Sequence, residues 1–256
     1  MDTSENTVMV FIGGTIENNF FGNILHGRLL EKTGGTFFGL PWGGIPHPRI
    51  FQKEFLQSIE DLLLACQTFM VMGYSQGTYK ALRAGIKACL HGTAEKVVIV
   101  AVAGPLGGSP MAGLARWAKK LPWPFSEAVG GVVEMIDGSD QIQRTANLVR
   151  ILMEAIAEDP TITMPDIVLI GGAHDHLVPA RSAWQLSGCD EAHLYRVLVL
   201  GGNGPEPAGL PSNVYVLRTR RGMDDHLSMW LTPQLNRLII QLRHKGPAEV
   251  LGSFAA

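Results

Sequence analysis

Phe69-Met70-Val71-Met72-Gly73-Tyr74-Ser75-Gln76-Gly77-Thr78-Tyr79-Lys80-Ala81-Leu82-Arg83-Ala84 holds a strand, a sharp turn and a helix in one short stretch. Phe69 to Met72 is an apolar run with no polar face, which suits a parallel strand buried on both sides. Gly73 stops it. Beyond the turn, Tyr79, Leu82, Ile86 and Leu90 recur every three or four residues with Lys80, Arg83 and Lys87 between them, the spacing of one buried helical stripe. At the corner, Gly73-Tyr74-Ser75-Gln76-Gly77 fits the pattern G-x-S-x-G. Glycines are needed there because a Cβ at either position would meet the neighbouring strand or the helix, and the tight corner lifts the serine hydroxyl clear of the backbone. The helix that follows offers its positive end and the N–H of Gln76 to a developing anion.

The same alternation extends along the chain. Val8 to Ile12 is a first buried strand running into Gly13-Gly14-Thr15, where backbone amides can approach a ligand closely, although a plain tight turn reads the same residues equally well. Thr36 to Leu40 is a short second strand, and helical spacing follows from Pro48 through Ile50, Phe51, Phe55, Ile59 and Leu62 up to Cys66. Lys96 to Ala103 is a Val-rich central strand, and Asp166 to Gly172 is another. Tyr195 to Leu200 and Val214 to Leu217 are two further β runs, of which one closes the sheet and the other is either a strand or an edge hairpin. A last helix runs from about Leu227 to Arg243, with Leu227, Leu231, Leu235, Leu238, Ile239 and Leu242 as its buried stripe, and 246 to 256 reads as a loose tail. Alternating β and α units of this length predict an α/β fold with a mostly parallel, doubly wound sheet flanked by helices.

Residues 104 to 165 break the rhythm and are too long for a plain connection. A helix over Met111 to Leu121, an interruption at Pro122-Trp123-Pro124-Phe125 and an amphipathic helix over Ile142 to Ile156 predict a helical excursion over the C-terminal edge of the sheet. Its apolar residues, Met111, Trp123 and Phe125 among them, serve either as core or as a greasy cover for an acyl chain.

A serine hydroxyl is a poor nucleophile until a base takes its proton, and the base needs an acid behind it. Parallel strands present such residues on loops at their C-terminal ends. Asp175 stands just past the strand that ends at Gly172, and His226 stands between the last strand and the last helix, so Ser75, Asp175 and His226 are the candidate nucleophile, acid and base. Asp166 lies at the wrong end of its strand, Asp137 and Asp140 fall within the excursion, and His193 only precedes a strand. His26, His47, His91 and His244 are expected at the surface. His174 and His176 form an H-x-H pair without a third ligand, which predicts no metal site.

On these residues the chain resembles an α/β hydrolase of the lipase and esterase group. The corner from Gly73 to Gly77 carries the Tyr74 and Gln76 often seen in cutinase-like enzymes. Ala103-Gly104-Pro105-Leu106-Gly107-Gly108-Ser109-Pro110 is similar to the segment after the next strand in bacterial lipases, and Gly172 to Pro179 is similar to an acid loop ending in Val-Pro. The likeness runs roughly from residue 8 to 243. It implies an α/β-hydrolase fold with a helical cap at about 104 to 165, and Ser75, Asp175 and His226 as the triad. It also implies oxyanion donors at Gln76 and Thr15, with Gly14 the alternative to Thr15, and a substrate wall that includes Gly14, Tyr74, Met111, Trp123 and Phe125. Gly13 departs from the pattern, standing where many members carry the His of a His-Gly pair. Gly13 to Ile16 also resembles the start of bacterial asparaginases, but no companion motif follows.

The resemblance implies a serine esterase or lipase that acts through an acyl-enzyme on an apolar small-molecule or lipid ester, without a cofactor. A thioesterase, amidase, acyltransferase or perhydrolase uses nearly the same parts, and a binding protein can keep the fold without the chemistry. Composition limits the rest. The 256 residues, 46% hydrophobic and 17% charged, predict one α/β domain over 1 to 256 with a substantial core. A net charge of −2 with no basic run excludes a polyanion footprint, so no nucleic-acid partner is expected. Cys66, Cys89 and Cys189 are too widely spaced for a disulfide framework and read as reduced, buried thiols. Neither a secretory start nor a run of transmembrane length is found, so a cytoplasmic protein is expected.

Overall fold

The computed structural model describes residues 7–14, 19–38, 66–110 and 138–253, for 19–25 the backbone alone. Its strands are β1 (Thr7–Ile12), β2 (Thr36–Phe38), β3 (Thr68–Tyr74), β4 (Lys96–Val102), β5 (Asp166–Gly172), β6 (Leu194–Gly201) and β7 (Val214–Thr219). They form one seven-stranded sheet in the order β2-β1-β3-β4-β5-β6-β7. Every neighbouring pair is parallel. Both late β runs are therefore strands of the sheet, and neither is an edge hairpin: β6 lies between β5 and β7. The chain leaves β1 toward β2 on one side and returns to β3 on the other, so the direction of winding reverses between β1 and β3. In such sheets the crevice beyond the carboxyl ends at the reversal is where ligands bind.

Alternate residues of each strand feed two different cores, as a period of two requires. Val10, Val71, Ile99 and Leu169 face one layer, together with Tyr79, Leu82 and Ile86 of α2 (Gly77–Leu90) and Val149 and Leu152 of α3 (Asp140–Glu158). Met9, Met70, Val100 and Ile170 face the other, with Leu29 of α1 (Asn19–Thr33) and Leu235, Leu238, Ile239 and Leu242 of α5 (Pro233–Lys245). Buried on both faces, β3 beyond Thr68 and β4 beyond Lys96 are apolar because each large apolar side chain contributes about 1.5–3 kcal/mol on leaving water.

Three local expectations change, at the last helix, the tail and His26, and two helices stand where none was expected. One is α1, between the first two strands, where Gly22 and Gly27 interrupt the sequence pattern. A short α4 (Ala180–Ala183) likewise follows the acid loop. The last helix begins at Pro233, whose fixed φ suits a first position, with Thr232 Oγ1 accepting from the Leu235 N–H at 3.2 Å. Leu227 and Leu231 therefore precede it, in and before a 3-10 turn over Ser228–Leu231, and are 60% and 55% exposed instead of buried. The loose tail is instead α6 (Pro247–Gly252), docked through buried Pro247, Val250 and Leu251. His26 is buried, not superficial, 4.3 Å from the Trp230 ring.

The amphipathic helix expected over 142–156 is α3. The helix expected from Pro48 falls outside the described residues except for Cys66, as does the excursion from Met111 to Asp137. All three cysteines are free, but only Cys89 is fully buried. Among the described residues no helix is long and apolar enough to cross a membrane.

Candidate active site

Ser75 sits one residue past β3 with φ +51°, a left-handed conformation that a side chain adopts at a cost. Its N–H still donates to the Val102 carbonyl at 2.9 Å, so pairing with β4 continues through the corner. The two glycines explain how the chain turns there. A Cβ on Gly73 would lie 2.6 Å from the Gly77 carbonyl oxygen and from the Thr78 Cα, and one on Gly77 would lie 2.5 Å from the Ile12 and Gly13 carbonyl oxygens. These neighbours are backbone and cannot turn aside, so strand β1, the corner and helix α2 close together only with hydrogen at both positions.

From this corner a continuous line of hydrogen bonds runs inward. Ser75 Oγ lies 3.1 Å from His226 Nε2, and His226 Nδ1 lies 2.8 Å from Asp175 Oδ2. All three residues are buried. Asp175 follows β5 in a turn whose geometry it makes itself: its Oδ1 accepts from the N–H groups of Leu177 at 2.9 Å and Val178 at 2.8 Å. With Oδ2 left for the imidazole, the fully buried carboxylate is hydrogen-bonded at both oxygens, as a charge out of water must be. Ser109 steadies the turn further by donating to the Leu177 carbonyl at 2.5 Å.

His226 rides on the loop after β7, held by its neighbours. Tyr74 donates its hydroxyl to the His226 carbonyl at 2.5 Å, and the two rings lie 5.1 Å apart. Asp225 Oδ1 accepts from Leu227 N at 2.9 Å and Ser228 N at 3.0 Å, closing the turn. The Ser228 N–H is the main cause holding the Asp225 carboxyl below its ordinary range, with Leu227 and the adjacent imidazole adding to it.

The other candidates fall in two groups. Gln76 is the residue before the first turn of α2, and Gly14 lies against the corner: a Cβ there would be 3.1 Å from Ser75 Cβ and 3.2 Å from the Tyr74 ring. Thr15, Met111, Trp123 and Phe125 lie outside the described residues. His174 is not paired with His176 around a common centre; its Nδ1 lies 2.6 Å from Asp224 Oδ2. Among the described residues no group of three His, Cys, Asp or Glu side chains is placed to hold a metal ion. His193 is drawn to Asp166 at 3.3 Å, at the opposite end of β5 from Asp175.

Sequence reasoning missed the Tyr74 to His226 bond and the His174–Asp224 pair. The latter had a signal: adjacent His and Asp on one loop, and Asp and His two apart on another. Chemically, the arrangement can take a proton from a serine hydroxyl and hold the resulting imidazolium against a buried carboxylate.

No protein-family model matches the chain, and no curated protein matches it. Among solved structures it is similar to the phospholipase PlaB of Legionella pneumophila, at 13% identity and a TM-score of 0.52, covering 97% of this chain and 62% of that one. The chain thus spans less than two thirds of the phospholipase. It is also similar to a gene product of Listeria innocua, at 12% identity and a TM-score of 0.55 over 94% of this chain and 95% of that one. A third likeness is to carboxyl esterase 2 of the fungus Tuber melanosporum, at 11% identity and a TM-score of 0.50 over 98% of this chain and 78% of that one. Identities this low speak to architecture alone: the chain has the α/β-hydrolase fold.

Proposed function

We propose that this α/β-hydrolase-fold chain is a serine hydrolase that cleaves carboxylic esters with apolar acyl groups through an acyl-enzyme. The observation that carries this reading is the line Ser75 Oγ, His226, Asp175, at 3.1 and 2.8 Å, opening at the reversal point of the sheet. Ser75 Oγ attacks the ester carbonyl carbon while His226 Nε2 takes its proton, and Asp175 keeps the proton on Nδ1 and stabilises the imidazolium. The carbonyl oxygen, now an anion, is met by the N–H of Gln76 and by an amide of the loop after β1, Thr15 or Gly14. As the tetrahedral intermediate collapses, the C–O bond to the alcohol breaks and His226 returns its proton to the leaving oxygen. Water then attacks the acyl-serine, with His226 taking its proton, and as that intermediate collapses the bond from the acyl carbon to Ser75 Oγ breaks, His226 returns the proton to Oγ and the carboxylic acid leaves.

The ester as scissile bond is supported by the names of the neighbours, a phospholipase and a carboxyl esterase. An apolar acyl group suits a wall that includes Met111, Trp123 and Phe125, in the part of the proposed cap at 104 to 165 that precedes α3, which itself packs beside α2 in the core. The test is turnover of p-nitrophenyl esters of graded chain length alongside labelling by a fluorophosphonate. Ser75→Ala is expected to lower kcat/KM by about 10⁴-fold or more and to abolish the adduct. Full turnover by that variant sinks the reading, and an unlabelled Ser75 in folded wild type points to a binding protein. Thioester and amide analogues in the same panel separate the related activities.

A further inference from the structure

A cleft of about 530 Å³ opens on the face of the sheet covered by α1 and α5, and none of Ser75, Asp175 or His226 lines it. Its charge is one-sided. Arg28 and Lys32, one turn apart on α1, and Arg237 on α5 all line it, with no carboxylate among the lining residues. The three are exposed, and among the described residues no ion pair involves them. Further along, Lys245 of the same α5 has Glu249 at 3.0 Å. In a chain of net charge −2, three cations converging on one cleft without a counter-charge are a local feature and no part of a general basic surface.

Apart from the Asn236 amide, the rest of the lining is apolar. Leu29 and Trp230 form buried wall, whereas Leu231 is 55% exposed. Leaving a leucine in water beside unpaired cations costs free energy that one kind of ligand removes on both counts. Guanidinium forks match the oxygens of a phosphate, which carries roughly −1.5 to −2 charge at pH 7 as a monoester. A phosphate fills only a small part of the cleft, whose volume falls within the range of roughly 300–1,000 Å³ typical of small-molecule sites. The remaining space, against Leu29, Trp230 and Leu231, accepts hydrocarbon.

We infer that the cleft between α1 and α5 binds an anionic amphiphile, a phosphate-type headgroup on an apolar chain, at a site separate from Ser75. The headgroup pairs with Arg28, Lys32 and Arg237, and the chain covers Leu231. Whether Ser75 is a nucleophile does not enter, so this inference and the proposed activity stand or fall separately.

Calorimetric titration at low ionic strength with decyl phosphate below its micelle threshold tests it, with inorganic phosphate and decyl maltoside as the separate arms. One decyl phosphate is expected per chain, bound at least about tenfold more tightly than either partial ligand, because charge and hydrocarbon contribute together. The double variant Arg28→Ala, Arg237→Ala should weaken it by about tenfold or more while thermal unfolding stays unchanged, since both side chains are exposed. Leu231→Ser, also at an exposed position, should weaken decyl phosphate and leave inorganic phosphate unaffected. The inference is overturned if no saturable binding occurs, if inorganic phosphate or the maltoside binds as tightly, or if the arginine variant binds like wild type.

Discussion

His174 Nδ1 meets Asp224 Oδ2 at 2.6 Å, and through them the loop that carries Asp175 is fastened to the loop that carries His226. The His174 N–H also donates to the Asp224 carbonyl at 3.3 Å. Each loop gives one histidine and one aspartate to the join, so two His–Asp contacts run side by side. The inner one, His226 with Asp175, is buried; in the outer one Asp224 is buried while the His174 side chain is 66% exposed.

His174→Ala leaves the Asp224 carboxylate buried without its partner, at an expected cost of about 1–3 kcal/mol of stability. If the pair also sets the height of His226 over Ser75, kcat for an ester should fall while KM stays near wild type. Thermal unfolding and steady-state kinetics on His174→Ala and Asp224→Asn check both parts. An unchanged kcat in the two variants would leave the pair a purely structural fastener.

The Tyr74 hydroxyl reaches the backbone of His226 from the corner that carries Ser75, so one side chain links the proposed nucleophile to the proposed base. Tyr74→Phe keeps the ring and removes the donor, leaving a buried carbonyl unpaired. A loss of about 1–3 kcal/mol is expected. Because the link spans the reacting groups, kcat/KM should drop by about tenfold, beyond what the loss of folded protein explains. Activity per folded molecule equal to wild type would argue against it.

Gly77→Ala forces a methyl group to 2.5 Å from the Ile12 and Gly13 carbonyl oxygens. The end of β1 and the start of α2 would have to move apart to admit it. The expected cost is at least the roughly 1–3 kcal/mol of an overpacked core, and the corner itself should shift. A Tm within a degree of wild type with full fluorophosphonate labelling would mean that the contact relaxes without strain.

Burial pushes the Cys89 thiol up to about 12, and burial chiefly, with Asp190 nearby, pushes Cys189 to about 11. Since the thiolate is the nucleophile, iodoacetamide at pH 8 should leave Cys89 unmodified in the native chain and label it rapidly in urea. A thiol whose folded value is raised keeps its contribution below the unfolded value of about 9 and loses it as pH climbs toward 12, so the fold should weaken in strong base. Mass spectrometry of the alkylated peptides decides; equal labelling in buffer and urea would show that the side chain is reachable.

What the sequence disclosed was local or followed from symmetry of the sheet. The strand, the corner and the two glycines around Ser75 are neighbours in the chain, and a parallel sheet brings the loops after β3, β5 and β7 to one rim. That is enough to put Ser75, Asp175 and His226 near one another. Their distances, and the Tyr74 and His174 contacts that fix them, depend on side chains 50 to 152 residues apart, which no local pattern encodes. The misreading of Leu227 and Leu231 was also physical. A spacing of four continues through them into Leu235, but Pro233 and the Thr232 cap restart the helix, so the phase of the stripe is broken. The glycines of α1 argue against a helix locally, while packing against α5 supports it.

The turn around His226 should be acid-labile before the core is. Asp225 accepts from the N–H groups of Ser228 and Leu227, and the Ser228 bond is the main reason its carboxyl is held below the ordinary 3.8. For a carboxyl depressed in the folded state, the contribution is fully present above the unfolded value and is lost as pH falls through the lower folded one. At pH 7, Asp225→Ala should therefore cost about 0.5 kcal/mol, the low end of capping values because the side chain is exposed and screened. Toward pH 3, below the unfolded value, the gap between wild type and variant should narrow, since the wild-type side chain increasingly loses its charge. Urea unfolding of both proteins at pH 7 and at pH 3 measures the gap. A gap of the same size at both would show that the charge of Asp225 contributes nothing to the turn, and that its shape alone, which Asp225→Asn preserves, holds His226 in place.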